Sequence, residues 1–353
     1  MKNLNLMQKR IMLAWVGVIV LMGLFPPWAC GTQTNALPAP PSQPTQEKSP
    51  LIEDLSKTLG FCMGQRFTLE RIKKTFPDLA LPAQKAMLEF KASFGSAEEN
   101  IIKVLQDMLK KRYSEYTIKM KKLMQSTISS QQINRQDAVK FLSEVESRAK
   151  GQIPSPVLET LLTYRFIDNP AEEFLRGYTR VFRTKDHQKA KGCDFQISYP
   201  ASWRPKEGER PNIIQKFISQ NGHGLEVIML LVKDIPLPPG YKVSQQELDE
   251  LFSEKELMEM VPEGARVISA KPIVLDNHKG GMILFDLTLH RLDMTITMRS
   301  LHFITISSGK MIFIQCMVST LPGKEVELQE RFNRVEPLFK LIANKFILQN
   351  QYK

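Results

Sequence analysis

Residues 282–307 read MILFDLTLHRLDMTITMRSLHFITIS. Apolar and β-branched residues fill both arms, and Leu292–Asp293 interrupts them with a very short connection. That pattern is a β-hairpin, and a short loop fixes its register. Pivoting about the loop sets Asp286 opposite Arg299, Thr288 opposite Thr297 and His290 opposite Thr295. Leu284 then faces Leu301, and Met282 faces Phe303. Alternation puts Met282, Leu284, Leu301 and Phe303 on one face and Ile283, Phe285, Leu287, Ile296, Met298 and Ile304 on the other. A sheet that is apolar on both faces must be covered on both, which implies a helix/sheet/helix sandwich.

The flanking sequence supplies the rest. Phe195–Tyr199, Ile213–Ile218, Leu225–Val232, Ala265–Leu275 and Met311–Ser319 read as further strands. SQNGHG joins the second and third, with Asn221-Gly222 suited to positive φ. Gln245–Met260 and about 325–345 read as covering helices. Neighbouring strands are mostly hairpin-linked, so the sheet should be mainly antiparallel.

Residues 51–183 carry a helical signal instead. Thr68 can cap a helix ending near Phe76; Pro82–Phe94 is a second stretch stopped by Gly95. Ser96 opens a long helix through Ile128, with Ile101, Leu105, Met108, Leu109, Tyr116, Met120 and Leu123 as an apolar seam. Lys103, Lys110 and Lys121 fall roughly opposite. Asn134 caps a helix over 135–150 that Gly151 closes. Short helices follow at about 156–163 and 170–180. The expected fold class is α+β: an N-terminal α-helical domain (51–183), then an α/β/α sandwich domain (190–348) with a mainly antiparallel sheet.

The run FQISYPASW (195–203), a hairpin, a helical excursion, a four-strand meander and a closing helix resemble the PsbP-like, or DcrB-like, sandwich. Tyr199, Pro200 and Trp203 form the short motif that carries the likeness, over about 190–348. The resemblance implies an envelope or lumen location and binding or assembly roles. It brings no catalytic residues. A helical half ahead of such a domain also looks like the layout of exported bacterial proteins.

The first residues agree with export. Lys9 and Arg10 precede the charge-free apolar run Ile11–Phe25, the layout of a signal peptide. Including Pro26–Ala29 brings the run near the length of a membrane anchor. Residues 1–36 are therefore read as signal peptide or anchor. Cys30 after Ala29 is a candidate lipidation site, although Pro27 and Trp28 depart from the usual pattern; a cut after Ala36 is the alternative. Residues 37–50 form a Pro-rich linker. The expected location is the periplasm, or its membrane face.

The net charge is +11, and the basic excess lies mainly in the first half. In an exported protein that fits an envelope protein or an anionic membrane surface better than nucleic acid, or simply a solvated surface, since the charges are scattered rather than blocked. Oligomeric state is not legible. The four cysteines form no CxxC pair, so stability should not depend on a disulfide.

Catalytic signatures are missing: there is no GxSxG, HExxH, Walker or EF-hand pattern. His290 and His302 sit about seven residues apart along the ladder, roughly 23 Å, on opposite faces, and cannot share a metal. No cofactor, metal or catalytic residue is expected. Asp286, Arg299 and His290 form the one polar constellation, a ligand-binding patch or a pair bracing the sheet. Gly280 and Gly281 beside His278 could offer amides to an anion, or simply form a turn; His223 lies in a similar Gly-flanked loop. Trp203 reads as a core ring or a binding aromatic. The helical seam offers a groove for a partner helix or an acidic membrane surface, unless its own neighbours fill it. The function expected is a non-enzymatic envelope factor binding a protein or lipid surface. The alternative is a hydrolase-like enzyme or small-ligand carrier with its site between the domains.

Overall fold

A computed structural model describes residues 49–238, 241, 243–291, 294–320 and 324–352. The leader, Cys30 and the linker to Lys48 lie outside the described residues.

The helical part comprises α1 (Pro50–Thr75), α2 (Ala80–Leu109), α3 (Tyr113–Ser130), α4 (Arg135–Ala149) and α5 (Val157–Arg165). The helices run longer than their punctuation suggests. Thr68 does not cap; it lies inside α1 and returns its hydroxyl to the Gly64 carbonyl at 2.9 Å. Gly95 does not stop α2, because Phe90, Phe94 and Ala97 on either side are buried in the common core, and packing outweighs the roughly 1 kcal/mol helix penalty of glycine. The break comes instead at Lys110, whose φ of 47° leaves helical space and divides the expected long helix into α2 and α3. Asn134 caps α4 as expected, accepting from the Asp137 amide at 2.8 Å, and Gly151 closes it at φ 90°.

After α6 (Pro170–Leu175) comes strand β1 (Thr179–Arg183), where a helix to about 180 was expected. Ala171 and Phe174 already belong to the sandwich core. The remaining strands are β2 (Phe195–Pro200), β3 (Arg204–Glu207), β4 (Ile213–Ile218), β5 (Glu226–Asp234), β6 (Arg266–Leu275), β7 (His278–Arg291), β8 (Met294–Ser307), β9 (Lys310–Thr320) and β10 (Ile347–Leu348). Helices α7 (Gln245–Leu251), α8 (Glu254–Glu259) and α9 (Glu325–Asn344) cover them.

Seven strands form one sheet in the order β3-β4-β5-β9-β8-β7-β6, and β1-β2-β10 form a second. All pairings are antiparallel. The central hairpin has the expected register, with Asp286 opposite Arg299, Thr288 opposite Thr297 and Met282 opposite Phe303. One face of the large sheet, with Met282, Leu301 and Phe303, packs against α9 and the small sheet. The other face, with Ile283, Phe285 and Ile304, packs under α7 and α8. The fold is thus α+β, a helical region followed by an antiparallel sheet with helices on both faces. Trp203 is a core ring, buried edge-on against Phe339 at 6.3 Å.

Gly280 and Gly281 are strand residues, not a ligand loop. A Cβ on Gly281 would lie 2.2 Å from Leu257 Cδ2, and one on Gly280 would lie 2.2 Å from the Ile304 carbonyl oxygen. The glycines let α8 and β8 approach β7 closely.

Candidate functional site

The polar constellation at the hairpin is assembled by its register. Arg299 donates from Nε to Asp286 Oδ1 at 2.7 Å and from Nη2 to Oδ2 at 2.9 Å. Arg266, on the neighbouring strand, donates to Oδ2 at 2.6 Å. Arg299 also donates to Gln329 of α9 and lies 5.6 Å over the Phe332 ring. Burial alone would raise the Asp286 carboxyl; the hydrogen bonds from Arg299 and Arg266 outweigh it and hold the group below its ordinary value. The two carboxylate oxygens are thus occupied by two guanidinium groups, and the cluster ties three strands' worth of edge to α9. His290 does not join it. Four residues along the same face, it lies roughly 13 Å away at strand spacing and hydrogen-bonds Thr295 at 3.0 Å.

Loop histidines have local partners. His223 Nε2 lies 3.3 Å from Asp54 of α1, which also accepts from Asn221 at 3.1 Å. This turn, with Gln220, Asn221 and Gly222 all at positive φ, therefore meets the helical part. His278 Nδ1 lies 3.0 Å from the Asp276 carbonyl oxygen. His302 is wholly buried edge-on to Phe285, and burial pushes its imidazole down to about 3. Among the described residues no group of three or more metal-ligating side chains converges.

A cavity of about 270 Å³ lies where the helical part meets the sandwich, between Thr163, Phe166 and Ile167 on one side and Ser202, Glu226 and Arg331 on the other. Glu173 is buried in its wall, accepting from the Ser202 amide at 2.8 Å and from the Ser202 hydroxyl at 2.7 Å. Burial outweighs those bonds and raises its carboxyl to about 7. The two side chains are hydrogen-bonded to each other in the cavity wall, and Ser202 is only 2% exposed. No sequence pattern announced this pair: the two residues are 29 apart.

The larger opening, about 670 Å³, is a groove between α1 and α3. Gly60, Phe61, Met120, Leu123, Met124 and Val157 line it, and Lys57 and Lys119 stand at its edge. Its geometry follows from α1. Gly60 and Gly64, one turn apart, leave room for Met124, whose Cε would lie 3.4 Å from a Cβ at Gly60. Helix α3 buries none of its eighteen residues. The seam expected on the long helix is buried at Ile101 and Leu105, half-buried from Met108 to Met120, and 63% exposed at Leu123. Neighbouring helices fill one end of the seam and leave the other as the groove. From Lys110 to Lys122 the chain carries Lys110, Lys111, Arg112, Lys119, Lys121 and Lys122 against Glu115 alone.

No protein-family model matches the chain, and no curated protein matches it in sequence. Among solved structures it is similar to the cyanobacterial PsbP protein of Synechocystis, at 16% identity and a TM-score of 0.29, over 48% of this chain and 92% of that one. It is similar to LpqN of Mycobacterium tuberculosis, involved in cell envelope biogenesis, at 12% identity and 0.28, over 51% of this chain and 96% of that one. A third is the Ran-binding protein Mog1p of Saccharomyces cerevisiae, at 8% identity and 0.31, over 48% and 95%. Each likeness spans about half of this chain, and no activity is carried over from any of them.

Proposed function

We propose that this chain is an exported, non-catalytic factor that binds the anionic lipid surface of the cell envelope through α3 and the groove beside it. The observation that carries the reading is an eighteen-residue helix with no buried side chain, flanked by a basic cluster and bordered by an open apolar groove. Exposed Ile118 and Leu123 add apolar area to the same helix. A basic helix with exposed apolar residues is suited to the headgroup boundary of a bilayer, where charge attracts and apolar side chains insert. The leader reading, with Lys9 and Arg10 ahead of Ile11–Phe25, would deliver the chain to that surface.

Flotation of the full chain with phosphatidylglycerol-rich vesicles, compared with phosphatidylcholine vesicles, tests the reading. Binding should favour the anionic vesicles and weaken with salt, because the Debye length falls from about 10 Å at 0.1 M to about 3 Å at 1 M. Reversing the charge of Lys119, Lys121 and Lys122 together to Glu should abolish it. Equal binding to both vesicle types, or capture by an acidic protein without any vesicle binding, would refute a lipid surface as the target.

A further inference from the structure

We propose that the groove between α1 and α3 takes up a single long acyl chain with an anionic head, with α3 as its movable wall. This rests on the membrane-surface reading and narrows it to lipid uptake. The groove lies within the roughly 300–1,000 Å³ range of small-molecule sites. A compact polar ligand would need convergent polar groups in the walls to orient it. Here polar groups are few: the Ser56 and Tyr116 side chains and the ammonium groups of Lys57 and Lys119. Tyr116 to Met124 spans about 12 Å along α3, giving the apolar floor an elongated form suited to a chain.

Charge selects the head. Lys119 pairs with Glu115 at 2.7 Å, while Lys57 forms no ion pair with any described residue. A carboxylate or phosphate at the mouth would supply that partner.

The wall is built to move. Helix α3 is bounded by Lys110, at φ 47°, and by Gln131 in extended backbone, and none of its residues is fully buried, with Tyr113, Tyr116 and Met120 only partly packed against the helical core. Met120 and Met124, flexible side chains that re-pack around differently shaped apolar partners, line the groove on the α3 side, while Arg71 of α1 donates to the Ile128 carbonyl and ties the far end of α3. An element with so few buried contacts opens at low free energy.

The test is displacement of a fluorescent fatty acid from the full chain by palmitate, below its micellar concentration, with vesicle flotation in parallel. Saturable binding of one palmitate per chain is expected. Leu123→Glu, at an exposed position that leaves folding intact, should weaken it at least tenfold. Lys57→Glu should weaken palmitate but leave hexadecanol, which has no charge, unchanged. An unaltered melting midpoint for both variants would show that folding is preserved. Flotation without saturable palmitate binding would overturn chain uptake and leave surface binding standing; loss of both would remove both. Palmitate binding that ignores Leu123→Glu would place the chain elsewhere and overturn the proposal. A dimer that Leu123→Glu dissolves, without palmitate binding, would make a second copy the occupant and overturn it too.

Discussion

At the scale of single residues, Asp286 shows how burial changes the worth of an ion pair. As an exposed cross-strand pair with Arg299 it would contribute under about 1 kcal/mol. In the fold the two side chains are only 15% and 11% exposed, and the carboxylate also holds Arg266. Asp286→Asn should therefore cost about 1.5–3 kcal/mol, the range for hydrogen bonds to charged groups, read as a lower urea midpoint. Lipid binding should be unchanged if the cluster only braces the sheet. Glu173 and His302 make a second prediction. Glu173, raised to about 7 from 4.5, keeps its proton in the fold where the unfolded chain releases it, so stability falls as pH rises across that window. His302, lowered to about 3 from 6.5, stays neutral in the fold where the unfolded chain binds a proton, so stability falls as pH drops through 6.5 towards 3. The two slopes oppose each other between 4.5 and 6.5. Glu173→Gln should expose the His302 slope, and its urea midpoint should climb steadily from pH 4.5 to 6.5 where the wild type stays nearly flat. A flat profile for the variant would contradict the protonated state assigned to Glu173.

At the scale of elements, the strands were easier to read than the helices. The hairpin pairing of Asp286 with Arg299 followed from a short loop and period-two alternation, and both are local. Strands β1, β3 and β10 are not legible because each is five residues or fewer, too short to show alternation, and β10 takes its pairing from a distant partner, Ile347 beside Gln196. Helix boundaries misled where punctuation met packing: Gly95 continues a helix because its neighbours are buried, and Lys110 breaks one without a glycine or proline. The Asp286–Arg299 pair was therefore legible. The groove was half legible, since the α3 seam shows in the sequence but its α1 wall at Gly60 and Phe61 depends on how two helices cross. The glycines of β7 carry the element-scale prediction. Gly281→Ala should cost about 1–3 kcal/mol by pressing on Leu257 and loosening α8. Gly280→Ala should cost more, because its obstacle is the Ile304 backbone carbonyl, which cannot rotate away.

At the scale of the molecule, two cores meet along a polar seam. The helical core and the sandwich core are joined by Ala201, which packs into the helical cluster. Polar ties add to it: Asp54 with Asn221 and His223, and Glu159 with Arg180 at 2.5 Å. Nothing covalent contributes among the described residues, where Cys62, Cys193 and Cys316 are free and buried. Burial raises the Cys62 thiol to about 12 and raises those of Cys193 and Cys316 as well. Reducing agent should leave the melting midpoint where it is, whereas loss of a bridge worth about 2–4 kcal/mol would lower it by several degrees. The molecule then reads as a sandwich that holds a helical unit with one helix, α3, that has no fully buried residue, and that helix carries the functional account. Hydrogen exchange of the full chain, with and without phosphatidylglycerol vesicles, tests it most directly. The amides of Tyr113–Ser130 should exchange fast alone and become protected on the vesicles, while β7 and β8 stay unchanged. Unchanged exchange in α3 on vesicles that have bound the chain, or protection confined to the sandwich, would contradict it.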